Sequence, residues 1–502
     1  MTVAEETQST LEELKRNRRE KLDQLREMGI NPYPYRYEVS HHAGEILENF
    51  EDYEEAEDVS LAGRLMAIRR MGKASFAHIQ DSTGKIQIYV KIDNVGEQMY
   101  EAFGLLDIGD LIGVRGTVMK TRTGEITIFT KELTILAKGL HPIPVVKEKG
   151  DEVYDAFSDK EQRYRQRYLD LIVNPDVKET FRKRSRIIRA IRDYLDSMDF
   201  LEVQTPVLQP VYGGATARPF VTHHHTLDTR LYLRIADELY LKRLIVGGFE
   251  KVYEIAKDFR NEGMDRNHNP EFTMLEWYEA YMDYEDEMEN VENLIGYVVE
   301  ELGLEEVTYG DARLDLTPPF ARRSLFDLLQ EQLGKDVSDY DVEALKEVAR
   351  NRDLEVDDDW NYGKLLDELF DELVQPNLIQ PTFVIDHPKE ISPFAKSKRN
   401  GDSRLVERFE LIVCGMEISN AFSELNDPVD QRERLEHQAR LHAEGDEEAQ
   451  EMDEDFLTAM EVGMPPTGGV GIGVDRLVML LTDRHSIKDV ILFPQMRPRS
   501  SD

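Results

Sequence analysis

Two strand-like segments, Val252-Tyr253-Glu254-Ile255 and Phe272-Thr273-Met274-Leu275, bracket a loop that opens with Phe259-Arg260-Asn261-Glu262-Gly263 and closes with Asn269-Pro270-Glu271-Phe272. Strand, short loop and strand in that order specify an antiparallel pair. Such a pair aims a fixed cation, Arg260, and a stacking ring, Phe272, at one ligand. The arrangement suits a nucleotide held beside a carboxylate.

At 502 residues the chain exceeds one ordinary core, so two or three domains are expected. No apolar run reaches the length of roughly 18 residues that a membrane span needs. The start, Met1-Thr2-Val3-Ala4-Glu5-Glu6, lacks a signal-peptide pattern. One cysteine, Cys414, excludes an internal disulfide and a cysteine-based zinc site. A cytoplasmic location is the expectation. Net charge is −38, from 100 acidic and 62 basic residues, which in bulk opposes a phosphate polymer. Runs such as Glu285-Asp286-Glu287, Asp357-Asp358-Asp359 and Glu444 to Asp455 concentrate the excess and read as solvated faces. Contact with nucleic acid therefore needs local basic patches, for which Lys15 to Lys21 and Arg69-Arg70 are the candidates.

Residues 1–59 are expected to form a helical extension. Its helix carries Leu11, Leu14, Leu22, Leu25 and Met28 on the apolar side, and Gly29 stops it. The other face holds Lys15, Arg16, Arg18, Arg19 and Lys21. Residues 60–145 switch to short alternating strands at Leu61 to Ile68, Ser75 to Gln80, Ile86 to Val90, Leu111 to Val118 and Glu125 to Phe129. Five such strands specify a small barrel of the OB type. A period of two puts Ile86, Ile88 and Val90 inside and Lys85, Gln87 and Tyr89 outside. Phe76 stacks on a base if it faces out, or belongs to the core if it faces in; composition leaves both open. Residues 146–175 read as a linker and 176–502 as the large domain. That domain opens with an amphipathic helix, Val177 to Met198, and holds a mainly helical insertion at about 320–380.

The glycines at 468 to 473 lack the G-x-G-x-x-G register of a dinucleotide fold. They read as a strand that lets a ligand approach its backbone, leading into a helix near Asp475 and Arg476, where backbone N–H groups favour an anion. Phe200 to Pro206, Phe259 to Phe272 and Gly471 to Arg476 resemble, in order, the three signature motifs of class II aminoacyl-tRNA synthetases. Gly213-Gly214-Ala215, Arg234 to Lys242, His268 to Phe272 and Phe422-Ser423-Glu424-Leu425-Asn426 narrow the resemblance to class II lysyl-tRNA synthetases of bacterial type.

The resemblance implies an α+β fold, with an antiparallel catalytic sheet flanked by helices and preceded by a five-stranded OB barrel that binds the anticodon. It implies ATP, L-lysine, Mg2+ and tRNA(Lys) as partners, and a homodimer. Carried over by motif, Arg260 bridges the lysine carboxylate and the α-phosphate, and Phe272 stacks on adenine. Glu262 and His268 lie near the base and triphosphate, and Arg476 faces the γ-phosphate. Attack of a carboxylate on phosphorus brings two anions together, which needs cations fixed in place. Glu410 and Glu417 resemble the magnesium ligands. Glu424, with Tyr278 and Asn420, resembles the site for the lysine side-chain ammonium, and Gly214 and Glu238 the α-amino contacts. Glu276 belongs to the same pocket. Arg69, Phe76, Gln87 and Glu125 match anticodon-reading positions. Aspartyl and asparaginyl enzymes share this architecture, but an anionic pocket fits lysine better. A protein-modifying lysine ligase would have no use for residues 60 to 140. The chain departs from the pattern at Asp199, where the family usually has glycine, and at Gln204, where it usually has glutamate.

Overall fold

A computed structural model describes residues 3–498 apart from 55, 57, 145–146, 150–151, 155–156, 358–359, 400 and 445–449. The chain forms two compact units, Met1–Asp159 and Lys160–Asp502, and the division falls inside the stretch expected as a linker. Parts of that linker, and of the acidic runs at 357–359 and 444–455, lie outside the described residues.

In the first unit the helix Val3–Glu27 buries Leu22 and Leu25, and Gly29 follows it at φ +75°. Its basic residues do not share one role. Arg18 is buried and donates to the carbonyls of Gly139 (3.0 Å) and Ile108 (2.8 Å). Lys21 donates to Asp107 at 2.5 Å. The expected basic face thus loses two members to docking, while Arg16 and Arg19 stay exposed. Strands Val59–Met71, Ala74–Gln80, Lys85–Lys91, Leu111–Lys120 and Ile126–Ala137 close a barrel in the order first, second, third, fifth, fourth. Ile86, Ile88 and Val90 fill its core with Ala77 and Ile79, as their alternation requires. Gln87 departs from the expectation of an exposed outer residue. It is buried because its amide is sandwiched between Glu125 and Thr127.

The second unit is built on an eight-stranded sheet. Its order is Ala321–Ser324, Thr382–Ile385, Arg408–Val413, Met416–Ser423, Thr467–Gly473, Glu271–Ala280, Lys251–Phe259, Leu201–Glu202. Only the two outermost pairs are parallel; all inner neighbours are antiparallel. Helices Pro175–Ser197 and Tyr284–Leu302 share the main core with one face of this sheet. Pro175 fits the first helical turn, where no N–H is needed. Asp283 starts the second helix with a reciprocal capping box to Asp286. Ile187, Ile191, Val291, Leu294, Ile295 and Val298 pack there with Leu275, Trp277, Val470 and Ile472 from the strands.

Because side chains alternate along a strand, Phe272, Met274, Glu276 and Tyr278 project from the opposite face. That face is free of the core helices and carries the cavity. The expected insertion contains helices Leu325–Leu333, Val342–Arg350 and Tyr362–Leu373. Their apolar cluster also takes in Val384 and Ile412, so they pack on the sheet rather than stand apart. Asp199 occupies φ +64°, a left-handed conformation that favours glycine; aspartate is among the few other residues that tolerate it.

Candidate active site

Strand register builds the floor of the site. Gly471 lies between Glu276 and Asn420 on its two neighbouring strands, and Gly469 lies between Tyr278 and Phe422. A strip of bare backbone is thus flanked by walls of side chains, and a cavity of about 500 Å³ opens above it. Gly214, Glu238, Arg260, Glu262, His268, Phe272, Glu276, Tyr278, Glu410, Glu417, Asn420 and Arg476 all line this one cavity. They come from segments spread over more than half of the unit. Glu424 is brought close but not onto the wall. It is fully buried behind Gly469, in the space that a Cβ there would occupy. The glycine strip therefore does more than admit a ligand, since Gly468 and Gly469 give their side-chain space to Glu287 and Glu424.

At one end, Arg260 follows directly on the strand Lys251–Phe259. Its backbone N–H donates to Pro270 O at 3.0 Å, closing the loop, and its Nε donates to Ile235 O at 3.3 Å. The guanidinium carbon lies 5.1 Å from the centre of the Phe272 ring, a cation–π contact that fixes both groups. Among the described residues no carboxylate forms an ion pair with Arg260, although its charge reaches the buried Asp258, and its side chain lines the cavity. Arg476, in the first turn of the helix Val474–Leu481, donates to Glu417 O (2.8 Å) and meets its carboxylate at 3.1 Å. Its other terminal nitrogen lies 2.9 Å from His268 Nε2. With Nδ1–H of His268 donating to Asp265 (2.7 Å), that Nε2 accepts from Arg476. Asp475 holds this corner by accepting from the backbone of Thr273 (2.7 Å) and from Arg184 (2.5 Å).

Glu410 and Glu417 sit on the two strands of one hairpin. Burial pushes the Glu410 carboxyl up to about 8; Arg408, at 2.5 Å, opposes the shift, while Glu417, Asp367 and Asp371 add to it. Asp371 is pushed up to about 7 by burial and then by Asp367. Asp367 and Asp371 line the same cavity from the helix Tyr362–Leu373. Sequence reasoning did not single them out, although their i, i+4 spacing places them on one helix face. Glu410, Glu417, Asp367 and Asp371 give this side of the cavity an anionic, oxygen-only donor set, the chemistry that suits a hard divalent cation such as Mg2+. Asn420 belongs to this side: it accepts from Arg408 Nε (3.1 Å) and donates to Glu417 (3.5 Å), and it forms no hydrogen bond with Glu424.

Glu238, Glu276 and Tyr278 on the same cavity wall, with Glu424 behind it, enclose a buried anionic pocket. The Tyr278 hydroxyl donates to Glu276 at 3.3 Å. Burial raises the Glu276 and Tyr278 pKa values well above their usual ranges. Burial pushes Glu424 up to about 8, with Lys242 opposing and Glu238 assisting. Lys242 was not among the expected site residues. It lies one turn after Glu238 on the helix Glu238–Val246, and its buried ammonium bonds Glu238 and meets Glu424 Oε2 at 2.5 Å as an ion pair.

On the barrel, Arg69 pairs across strands with Phe76, and Phe76 with Tyr89. Phe76 is half-buried on the outer face, between the inward Ser75 and Ala77, so it lies outside the core. Its ring stands 4.8 Å from that of Tyr89, which stands 5.6 Å from Phe129. Glu125 is held by Gln87 (2.6 Å) and His78 (2.7 Å). An aromatic row beside a fixed carboxylate and amide can stack unpaired bases and read their edges.

Residues 159–497 match the family of class II tRNA synthetases (D, K and N), and residues 59–136 match an OB-fold nucleic acid binding domain. The chain belongs to that class II tRNA synthetase family. Within it, the chain is similar to curated lysine–tRNA ligases over nearly its whole length. It is 54% identical to that of Pelotomaculum thermopropionicum over 495 residues, covering 97% of this chain and 96% of the relative. Identity to the Moorella thermoacetica enzyme is 53% over 484 residues, covering 96% of this chain and 97% of the relative. The Bacillus subtilis enzyme is 50% identical over 507 residues, covering 99% of this chain and all of the relative. No helix among the described residues is long and apolar enough to cross a membrane.

Proposed function

We propose that the chain is an ATP-dependent ligase that joins L-lysine to tRNA(Lys) in the cytoplasm, acting as a homodimer through the segment from Phe200 to Pro206. The observation that carries the substrate is the anionic pocket of Glu238, Glu276, Glu424 and Tyr278, which opens on the same cavity as Arg260. Lysine carries two ammonium groups and one carboxylate, and the cavity offers the complementary charges. Its carboxylate attacks the α-phosphorus of ATP, forming lysyl-adenylate and releasing pyrophosphate. A hydroxyl of the 3′-terminal adenosine of tRNA then takes the lysyl group and AMP leaves. Arg260 holds the two reacting anions together, Phe272 stacks on adenine, and Glu262 and His268 lie beside the base and triphosphate. Arg476 faces the γ-phosphate. Glu410 and Glu417 would hold Mg2+, which supplies charge neutralisation of the phosphates. No side-chain nucleophile is required. ATP–pyrophosphate exchange with single amino acids tests the reading: stimulation by lysine is expected, and stimulation by aspartate or asparagine instead would overturn it. Sedimentation as a monomer would refute the dimer.

A pH dependence follows from the pocket. Glu424 faces Lys242 and Glu238 from one helix, Tyr278 from the strand beyond the glycine strip, and Glu287 from the helix Tyr284–Leu302. With its carboxyl pushed up to about 8, a proton must leave before a substrate ammonium is bound. The KM for lysine should therefore fall as pH rises towards 8, by up to about tenfold per unit, and then level off. A flat profile from pH 6.5 to 8 would count against it.

We assign the anticodon to the face carrying Arg69, Phe76, Gln87 and Glu125, and the tRNA backbone to the exposed Arg16 and Arg19. Reversing both charges (Arg16→Glu with Arg19→Glu) should weaken tRNA binding by about tenfold at low salt while sparing lysine-dependent exchange. Arg18→Ala should behave differently. It removes two hydrogen bonds from a buried guanidinium and should cost about 3 kcal/mol of stability in the first unit. Unchanged tRNA affinity in the double variant would exclude this helix from the tRNA path.

A further inference from the structure

Lys242 is a fully buried ammonium between two carboxylates that the proposed reaction assigns to its substrate. It does not line the cavity, so it reaches the substrate only through Glu238 and Glu424. From each it takes one oxygen, Oε1 of Glu238 and Oε2 of Glu424. The other oxygens lie against the two glycines that do line the cavity. Glu238 Oε2 is 3.7 Å from the Cβ position of Gly214, and Glu424 Oε1 fills the Cβ position of Gly469. The ring of Phe394, its centre 4.7 Å from the ammonium, covers Lys242 from another side.

We propose that Lys242 is a positioning residue that sets substrate specificity, bridging Glu238 and Glu424 so that each turns one oxygen towards the cavity. The inference rests on the lysine reading. Lys242 compensates the two acids that it bridges. Glu276 lies instead within 4.8 Å of Asp237 and Asp258, which with Glu254 share Arg234. Lysine brings two ammonium groups to these acids, while Arg260 takes its carboxylate. An amino acid with a neutral side chain leaves one buried carboxylate unpaired and is rejected for that reason. Without Lys242 the two acids would lose their common anchor.

The test is Lys242→Met beside Lys242→Arg, in the full chain, by lysine-dependent ATP–pyrophosphate exchange across pH. Lys242→Met should raise the KM for lysine by about 10- to 100-fold. The KM for ATP should stay within about twofold, because binding is lost only at the amino-acid end. The pH at which the lysine KM levels off should also move upward, since a carboxyl deprived of its ammonium partner keeps its proton longer. Lys242→Arg should leave that pH near the unaltered value. A merely structural lysine would change both KM values together and leave the pH profile in place, and that result overturns the proposal. So does a lysine KM for Lys242→Met within about twofold of the unaltered chain. If Lys242→Met does not fold, Lys242→Arg decides. A change confined to the lysine KM, with the pH profile kept, supports the proposal; parallel losses for lysine and ATP overturn it. Absence of lysine-dependent exchange in the unaltered chain would overturn the lysine reading and this inference together, whereas failure in the variants alone touches only Lys242.

Discussion

Arg260→Ala is expected to lower kcat/KM for lysine-dependent ATP–pyrophosphate exchange by about 1000-fold, the upper end of what one preorganised charge contributes to a transition state. Its side chain sits where a rigid strand ends, its Nε is tied to Ile235 O, and its plane lies over Phe272. That placement costs no reorganisation when a carboxylate and a phosphate approach together. Arg260→Lys should recover little, because an ammonium cannot span two anions as a planar fork does. Stability should barely change, since the loop-closing bond to Pro270 uses the backbone and survives the substitution. A loss below about tenfold, with the protein folded by thermal unfolding, would remove Arg260 from the reacting centre.

Much of the site was legible because its logic is local. Alternation along Glu271 to Ala280 puts Phe272, Glu276 and Tyr278 on one face whatever surrounds them. The glycine strand leading into Arg476 is also a local pattern. The same holds for the barrel, whose core residues Ile86, Ile88 and Val90 follow from a period of two. What could not be read depends on which segment arrives next to which. Lys242 looks like an ordinary surface partner for Glu238 at i, i+4 until Glu424, just past the strand Met416–Ser423, closes over it. Asp367 and Asp371 belong to an insertion whose sequence says nothing about the sheet edge it covers. Arg18 and Arg19 are adjacent and chemically alike. Only the position of the Ile108 and Gly139 carbonyls sends one inward and leaves the other in water. The glycines at 468 and 469 were expected to make room for a ligand. They first make room for carboxylates of the protein itself, a fact that only the packing of Glu287 and Glu424 reveals.

Gly469→Ala puts that packing to the test. The added Cβ would fall on Glu424 Oε1 and within 2.5 Å of a Tyr278 ring carbon. The backbone cannot retreat, because Gly469 is paired with Tyr278 on one side and Phe422 on the other. Glu424 must therefore give way, yet its second oxygen is held by Lys242. Lysine binding and folding should both suffer. We expect the KM for lysine to rise by about 100-fold, the consequence of displacing a buried charge from its partners. Overpacking should cost about 3 kcal/mol of stability. Gly471→Ala is the informative comparison, since its Cβ would meet only the terminal methyl of Met274 at 2.7 Å, the free end of a flexible side chain. It should destabilise less and leave Glu424 in place. Lysine-dependent exchange and chemical unfolding of the two variants side by side would decide. Equal effects at both positions would mean that the strip is sensitive to any added bulk, and that the location of Glu424 behind Gly469 has no special bearing on how lysine is held.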